Sequence, residues 1–150
     1  MKHFYTIFLL LLAFNVFGNN DRDNQELYQV KISRATDEIR VDGVLDEASW
    51  RDAKKASDFW MSFPNDTNKA DPKTEVRLTY NDDFLYVSAV CYDDKNYVIQ
   101  SLKRDVDFWD GDGFAFVIDP VNQKTNGFLF GVSPLGVQME SLLSGSVGAR

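Results

Sequence analysis

Ile39-Arg40-Val41-Asp42-Gly43-Val44-Leu45-Asp46-Glu47-Ala48-Ser49-Trp50 places three local signals in one short stretch. Ile39 and Val41 alternate with Arg40, the period of a strand with one buried face. Asp42-Gly43 supplies a tight turn, because glycine enters the left-handed region without steric cost. The Asp46 carboxylate stands where it can cap the residues that follow as a short helix, and Trp50 then anchors that helix to a core. A strand, a turn and a capped helical turn in succession are a rare enough combination to serve as a fingerprint.

Outward from this stretch the dominant pattern is alternation. Tyr28, Val30 and Ile32 alternate with polar residues and predict a first strand, with Ile39 to Asp42 as the second. Phe59, Met61 and Phe63 alternate with Trp60 and Ser62 until Pro64 stops the run. Thr74 to Tyr80 is the clearest amphipathic strand, and Asn81-Asp82-Asp83 turns it into Phe84 to Tyr92, apolar on both faces as in a central strand. Phe114 to Asp119 reads as wholly buried. Phe128 to Ser133 and Val137 to Leu142 pair across Pro134-Leu135-Gly136. Strands at short intervals with one helical turn predict an all-β, antiparallel two-layer β-sandwich, with a barrel as the alternative. The chain stops on Gly-Ser-Val-Gly-Ala-Arg with no closing strand, as expected of a sandwich incomplete at its C-terminus.

The termini and composition limit the function classes. Phe4 to Phe17 is almost wholly apolar, follows Lys2 and His3, and ends at Gly18, so residues 1–18 read as a cleaved secretory signal. About 14 apolar residues fall short of the roughly 20 that span a bilayer. Residues 19–27 form a polar spacer, and 28–150 are enough for one domain and not two. Export places the protein in the periplasm, at the outer membrane or outside the cell. Loss of Lys2 from the 16 basic residues leaves 15 against 23 acidic ones, a net charge of −8. That balance argues against nucleic acid and against an anionic membrane surface. Cys91, the only cysteine, rules out an internal disulfide and sits in an apolar run that suggests inert core. The sole histidine, His3, leaves with the signal, which removes histidine-dependent triads, zinc sites and haem ligation.

Several blocks carry a resemblance: Asp42-Gly43 with Leu45-Asp46-Glu47 and Trp50, then Thr74-Glu75-Val76, Tyr80-Asn81-Asp82-Asp83-Phe84-Leu85-Tyr86-Val87, and Asp110-Gly111-Asp112-Gly113-Phe114 leading to Asp119. In this order the chain resembles family 9-like carbohydrate-binding domains from about Ile32 to Leu142. Gly127-Phe128 and Ser133-Pro134-Leu135-Gly136-Val137-Gln138 are similar to a subgroup in which the domain opens a longer exported bacterial protein with a β-rich C-terminal region. The resemblance implies a sugar-binding β-sandwich, often beside a glycoside hydrolase domain, with calcium as a structural ion in some members.

Sugar recognition in water lays the apolar face of a pyranose on an aromatic ring while polar side chains take the hydroxyls. Trp109, in the acidic loop Arg104-Asp105-Val106-Asp107-Phe108-Trp109-Asp110, is the first candidate platform; the bland reading has it cap the sandwich edge. Trp60, on the polar side of its strand, is the second, and Trp50 is core. Arg104 and Asp105 are candidate polar partners, with Asn81 in reserve as a turn former. Members that clamp a terminal sugar use two tryptophans, and no tryptophan follows Trp109 here. Asp107, Asp110 and Asp112 with Gly111 and Gly113 are candidate calcium ligands, or else aspartates that end strands and solvate a loop. Carboxylates crowded on one exposed loop favour ionisation of all of them, which argues against glycoside hydrolysis by this chain. Haem would need Met61 or Met139 with a lysine, and both methionines fit alternating positions as core. The expected function is a non-catalytic carbohydrate-binding domain of an exported protein of polysaccharide catabolism. Its rival is an interaction sandwich that packs on an outer-membrane-associated region without binding sugar.

Overall fold

The computed structural model describes residues 28–93, 96–105 and 111–145, so the expected signal and spacer lie outside the described residues. The chain divides into two units, Met1–Lys31 and Ile32–Arg150. The second is a β-sandwich in two sheets: β1 Ser33–Arg34, α1 Ala48–Asp52, β2 Lys55–Ala56, β3 Thr74–Tyr80, β4 Leu85–Cys91, β5 Phe114–Ile118, β6 Asn126–Val132 and β7 Gln138–Ser144.

In the first sheet β3 pairs antiparallel with β4 along its whole length, from Thr74↔Cys91 to Tyr80↔Leu85. The other edge of β3 is shared end to end by β1, parallel at Ser33↔Thr79, and β2, antiparallel at Lys55↔Arg77. Asn81 closes the β3–β4 turn as expected, its Oδ1 accepting the Asp83 and Phe84 amides at 2.9 and 2.7 Å. The second sheet runs β5-β6-β7, antiparallel throughout. Gly136, at φ 77°, and the Ser133 hydroxyl, which accepts the Val137 amide at 3.2 Å, shape the β6–β7 turn.

Residues directly opposite across a ladder share a face. One face of the first sheet therefore carries Val76, Leu78, Val87, Ala89 and Cys91. One face of the second carries Phe114, Phe116, Phe130 and Val132, with the Phe116 and Phe130 rings stacked at 5.7 Å. Ile39, Trp50, Ala53, Val76 and Met139 are buried. A tryptophan buried like Trp50 contributes about 3–5 kcal/mol, judged by truncation to alanine.

The structure corrects several expectations. No strand forms from Tyr28 to Ile32 or from Ile39 to Asp42; Ile32 is exposed and Val41 is 92 % exposed. Side-chain carboxylates bond this backbone instead of a neighbouring strand: Glu47 Oε1 accepts the Arg40 amide at 2.9 Å, and Asp42 Oδ1 accepts the Val44 amide at 2.9 Å. Asp46 does not cap the helix. The amides of Ala48 and Ser49 donate to Asp37, at 2.7 and 3.1 Å, after the Gly43 turn at φ 83° folds the chain back. The Ser49 hydroxyl also donates to Asp37, and this bond, with the two amides, holds the Asp37 carboxyl below its ordinary pKa. Phe59–Phe63 makes one isolated bridge, Trp60↔Lys69, rather than a strand. Among the described residues β4 pairs only with β3, so it is an edge, and Cys91 is exposed rather than core. Val117, in the β5 run expected to be buried, is likewise exposed.

Candidate functional site

The apolar faces of the two sheets meet in a cleft of about 550 Å³. Its floor is Val87, Ala89 and Cys91 from β4 with Phe114, Phe116 and Val132 from β5 and β6. Its polar lining is Asp71 and Thr74 before and at the start of β3, Asp93 after β4, Tyr97, Asp112 before β5, and Ser133 after β6. Four separate loop segments thus deliver three carboxylates and three hydroxyls onto an aromatic and aliphatic floor.

Local hydrogen bonds hold these loops. The Asp112 amide donates to the Val98 carbonyl at 2.8 Å, and Asp112 Oδ2 accepts the Val98 amide at 2.7 Å. This reciprocal pair fastens the Tyr97 segment to the start of β5 and leaves Tyr97 59 % exposed at the rim. Gly111 makes the approach possible, since a Cβ there would lie 2.6 Å from the Val98 carbonyl oxygen. Ser133 is buried, and its turn is closed by its own amide donating to the Val137 carbonyl at 2.9 Å.

Of the expected site residues, Trp109, Asp107 and Asp110 lie outside the described residues. Asp112 lines the cleft. Arg104 and Asp105 sit on the outer edge of β7. The Asp105 amide donates to the Gln138 carbonyl at 3.0 Å and Asp105 Oδ1 accepts the Glu140 amide at 3.1 Å, so Asp105, at φ 59°, continues the ladder as a one-residue partner. Arg104 reaches Gln138 Oε1 and Glu140 Oε1, both at 2.7 Å. It borders a separate recess of about 360 Å³ with Leu102 and Leu135. Trp60 is 46 % exposed, and the Lys69 ammonium stands 3.9 Å from its ring centroid, a cation–π contact on one face. Neither Trp60 nor Arg104 lines the cleft.

Among the described residues no three His, Cys, Asp or Glu side chains gather as a metal site. Asp112 is an oxygen donor of the kind calcium takes, with one oxygen already bonded to the Val98 amide. Sequence reasoning missed Asp71, Asp93 and Tyr97. Alternation in β3 marked the apolar face that carries Val76 and Leu78, yet Thr79 and Ser88 on the opposite face are buried while Ala89 and Cys91 are exposed; residues flanking strands carry no period, so nothing local marked Asp71, Asp93 or Tyr97.

An aromatic floor edged by carboxylates and hydroxyls suits a ligand with an apolar face and many hydroxyls. No curated protein and no solved structure matches the chain. Over residues 41–140, however, it matches the carbohydrate family 9 binding domain-like family, a span running from the Asp42-Gly43 turn to the middle of β7, and the chain belongs to that family.

Proposed function

We propose that the chain is a non-catalytic carbohydrate-binding domain and that the cleft between its sheets receives the sugar. The observation that carries this reading is the cleft itself: Phe114 and Phe116 in the floor, Tyr97 at the rim, and Asp71 and Asp93 in its polar lining, where carboxylates can accept hydroxyl protons. Membership of a family of binding domains supports it. Trp109, in the loop immediately before β5, extends the aromatic wall in this proposal, and Asp107, Asp110 and Asp112 hold a structural calcium ion. The apolar Phe4–Phe17 segment supports export and a role in polysaccharide breakdown outside the cytoplasm. An exported chain beginning near Asn19 on N-terminal sequencing tests that part.

Affinity electrophoresis in gels containing soluble polysaccharides tests the binding. Retardation is expected for the parent chain, reduced at least about ten-fold in affinity by Tyr97→Ala or Trp109→Ala, and weakened by a calcium chelator. Retardation by no glycan defeats the proposal. It would favour the rival reading, in which the exposed apolar positions Phe128 and Leu142 on the second sheet pack against another polypeptide.

A further inference from the structure

We infer that the chain self-associates: two copies pair through the open edge of β4, antiparallel about a twofold axis at Ser88, which joins their first sheets into one. This inference does not depend on the sugar reading. Among the described residues β4 pairs only with β3, so one side of its backbone has no neighbouring strand. It is a long edge, of 7 residues, whereas β5, which pairs only with β6, has 5, and β1 and β2 have 2 each.

Edge strands are kept from pairing by charges, proline, bulges or a covering segment. β7 has such a guard, since Asp105 bonds the Gln138 carbonyl and the Glu140 amide. β4 has none of these devices. Leu85-Tyr86-Val87-Ser88-Ala89-Val90-Cys91 contains no charged residue and no proline, and its ladder with β3 runs without a bulge. Leu85, Ala89 and Cys91 are exposed.

Hydrogen-bond parity sets the register. In an antiparallel pair, alternate residues turn both backbone groups toward the neighbour and the others turn both away. The Tyr92 amide donates to the Lys73 carbonyl at 2.8 Å and the Asn81 amide to the Phe84 carbonyl at 3.0 Å, so the even-numbered residues face β3. Leu85, Val87, Ala89 and Cys91 therefore turn N–H and C=O to the open side. Setting Leu85 against the partner's Cys91 and Val87 against the partner's Ala89 lets all four exchange both bonds, with the two Ser88 residues meeting on the axis. A slip of one residue breaks the parity, and a slip of two sets one of the four against a residue outside the strand. The pairing also extends the cleft: Val87, Ala89 and Cys91 of its floor lie beside the partner's Ala89, Val87 and Leu85 on the same face.

Sedimentation equilibrium of the purified chain is expected to show a dimer at about 100 µM, the modest affinity of a small interface. Because the chain carries a net charge of −7, association is expected to tighten as salt rises. Ala89→Pro removes one outward amide and spares the β3 ladder, so it is expected to weaken the dimer at least about ten-fold with the β circular dichroism unchanged. Cysteine cross-linking reads the register whether or not that variant folds. In Leu85→Cys the new side chain stands about 5.5 Å, Cα to Cα, from the partner's Cys91, inside the disulfide range, and mild oxidation is expected to give a covalent dimer. The parent chain, whose two Cys91 residues lie about 20 Å apart in this pairing, is expected to stay uncrosslinked. So is Leu102→Cys, at an exposed position beside Arg104 and Leu135. A monomer at that concentration, a dimer that folded Ala89→Pro forms equally well, or Leu85→Cys cross-linking no faster than the parent chain or Leu102→Cys overturns the inference.

Discussion

Gly111 shows how one residue decides the shape of the cleft. Its missing Cβ lets the backbone pass the Val98 carbonyl closely enough for Asp112 to exchange two hydrogen bonds with Val98. Gly111→Ala forces backbone against backbone, and urea unfolding is expected to show a loss of about 1–3 kcal/mol, with Tyr97 displaced from the rim. Gly43 differs in kind. It has open space around its missing Cβ but φ 83°, so Gly43→Ala costs about 1 kcal/mol through backbone strain alone. The sequence advertised Gly43, because Asp-Gly between a polar and an apolar run is a turn signal. It could not advertise Gly111 as a close-approach site, since the oxygen it avoids lies in a segment that only the folded chain brings near.

At the scale of elements, the long hairpins were legible and the short strands were not. β3 with β4 and β6 with β7 combine sustained alternation with a turn of recognisable chemistry, and both pair as expected within two residues at each end. β1 and β2 have two residues each, too few to show a period, and exist because the edge of β3 receives them. The cap of α1 was misplaced for a related reason: Asp46 is adjacent in sequence, yet Asp37 is adjacent in space. The outer edge of β7 is covered by Asp105, whose left-handed φ asparagine tolerates and alanine does not. Asp105→Ala is therefore expected to lower Tm by several degrees and to promote association through the bared edge, whereas Asp105→Asn keeps both. Thermal melts and light scattering distinguish the two variants.

For the whole molecule, acid stability follows from four carboxylates held below their ordinary range. The Ser49 hydroxyl does this for Asp37, Lys55 for Glu75, Arg34 for Asp82 and the Lys124 amide for Asp119. Each folded-state pKa lies below its unfolded value, so the unfolded chain binds more protons in that interval. Their contribution is complete above about pH 5 and is lost as pH falls through the ordinary carboxylate values and on through the lowered ones. Unfolding followed from pH 6 to pH 2 is expected to show falling stability over that lower range, with a shallower slope for Asp37→Asn. The sequence by itself determined the β class, the two long hairpins, the Trp50 anchor and the kinship with carbohydrate-binding domains, because alternation, turn chemistry and motif order are local or ordered along the chain. Only the tertiary structure decided that Asp71, Asp93, Tyr97, Asp112 and Ser133 share one cleft and that Arg104 and Asp105 serve the β7 edge. Those juxtapositions arise from packing one sheet on another, which joins residues tens of positions apart and leaves no period for a sequence to show.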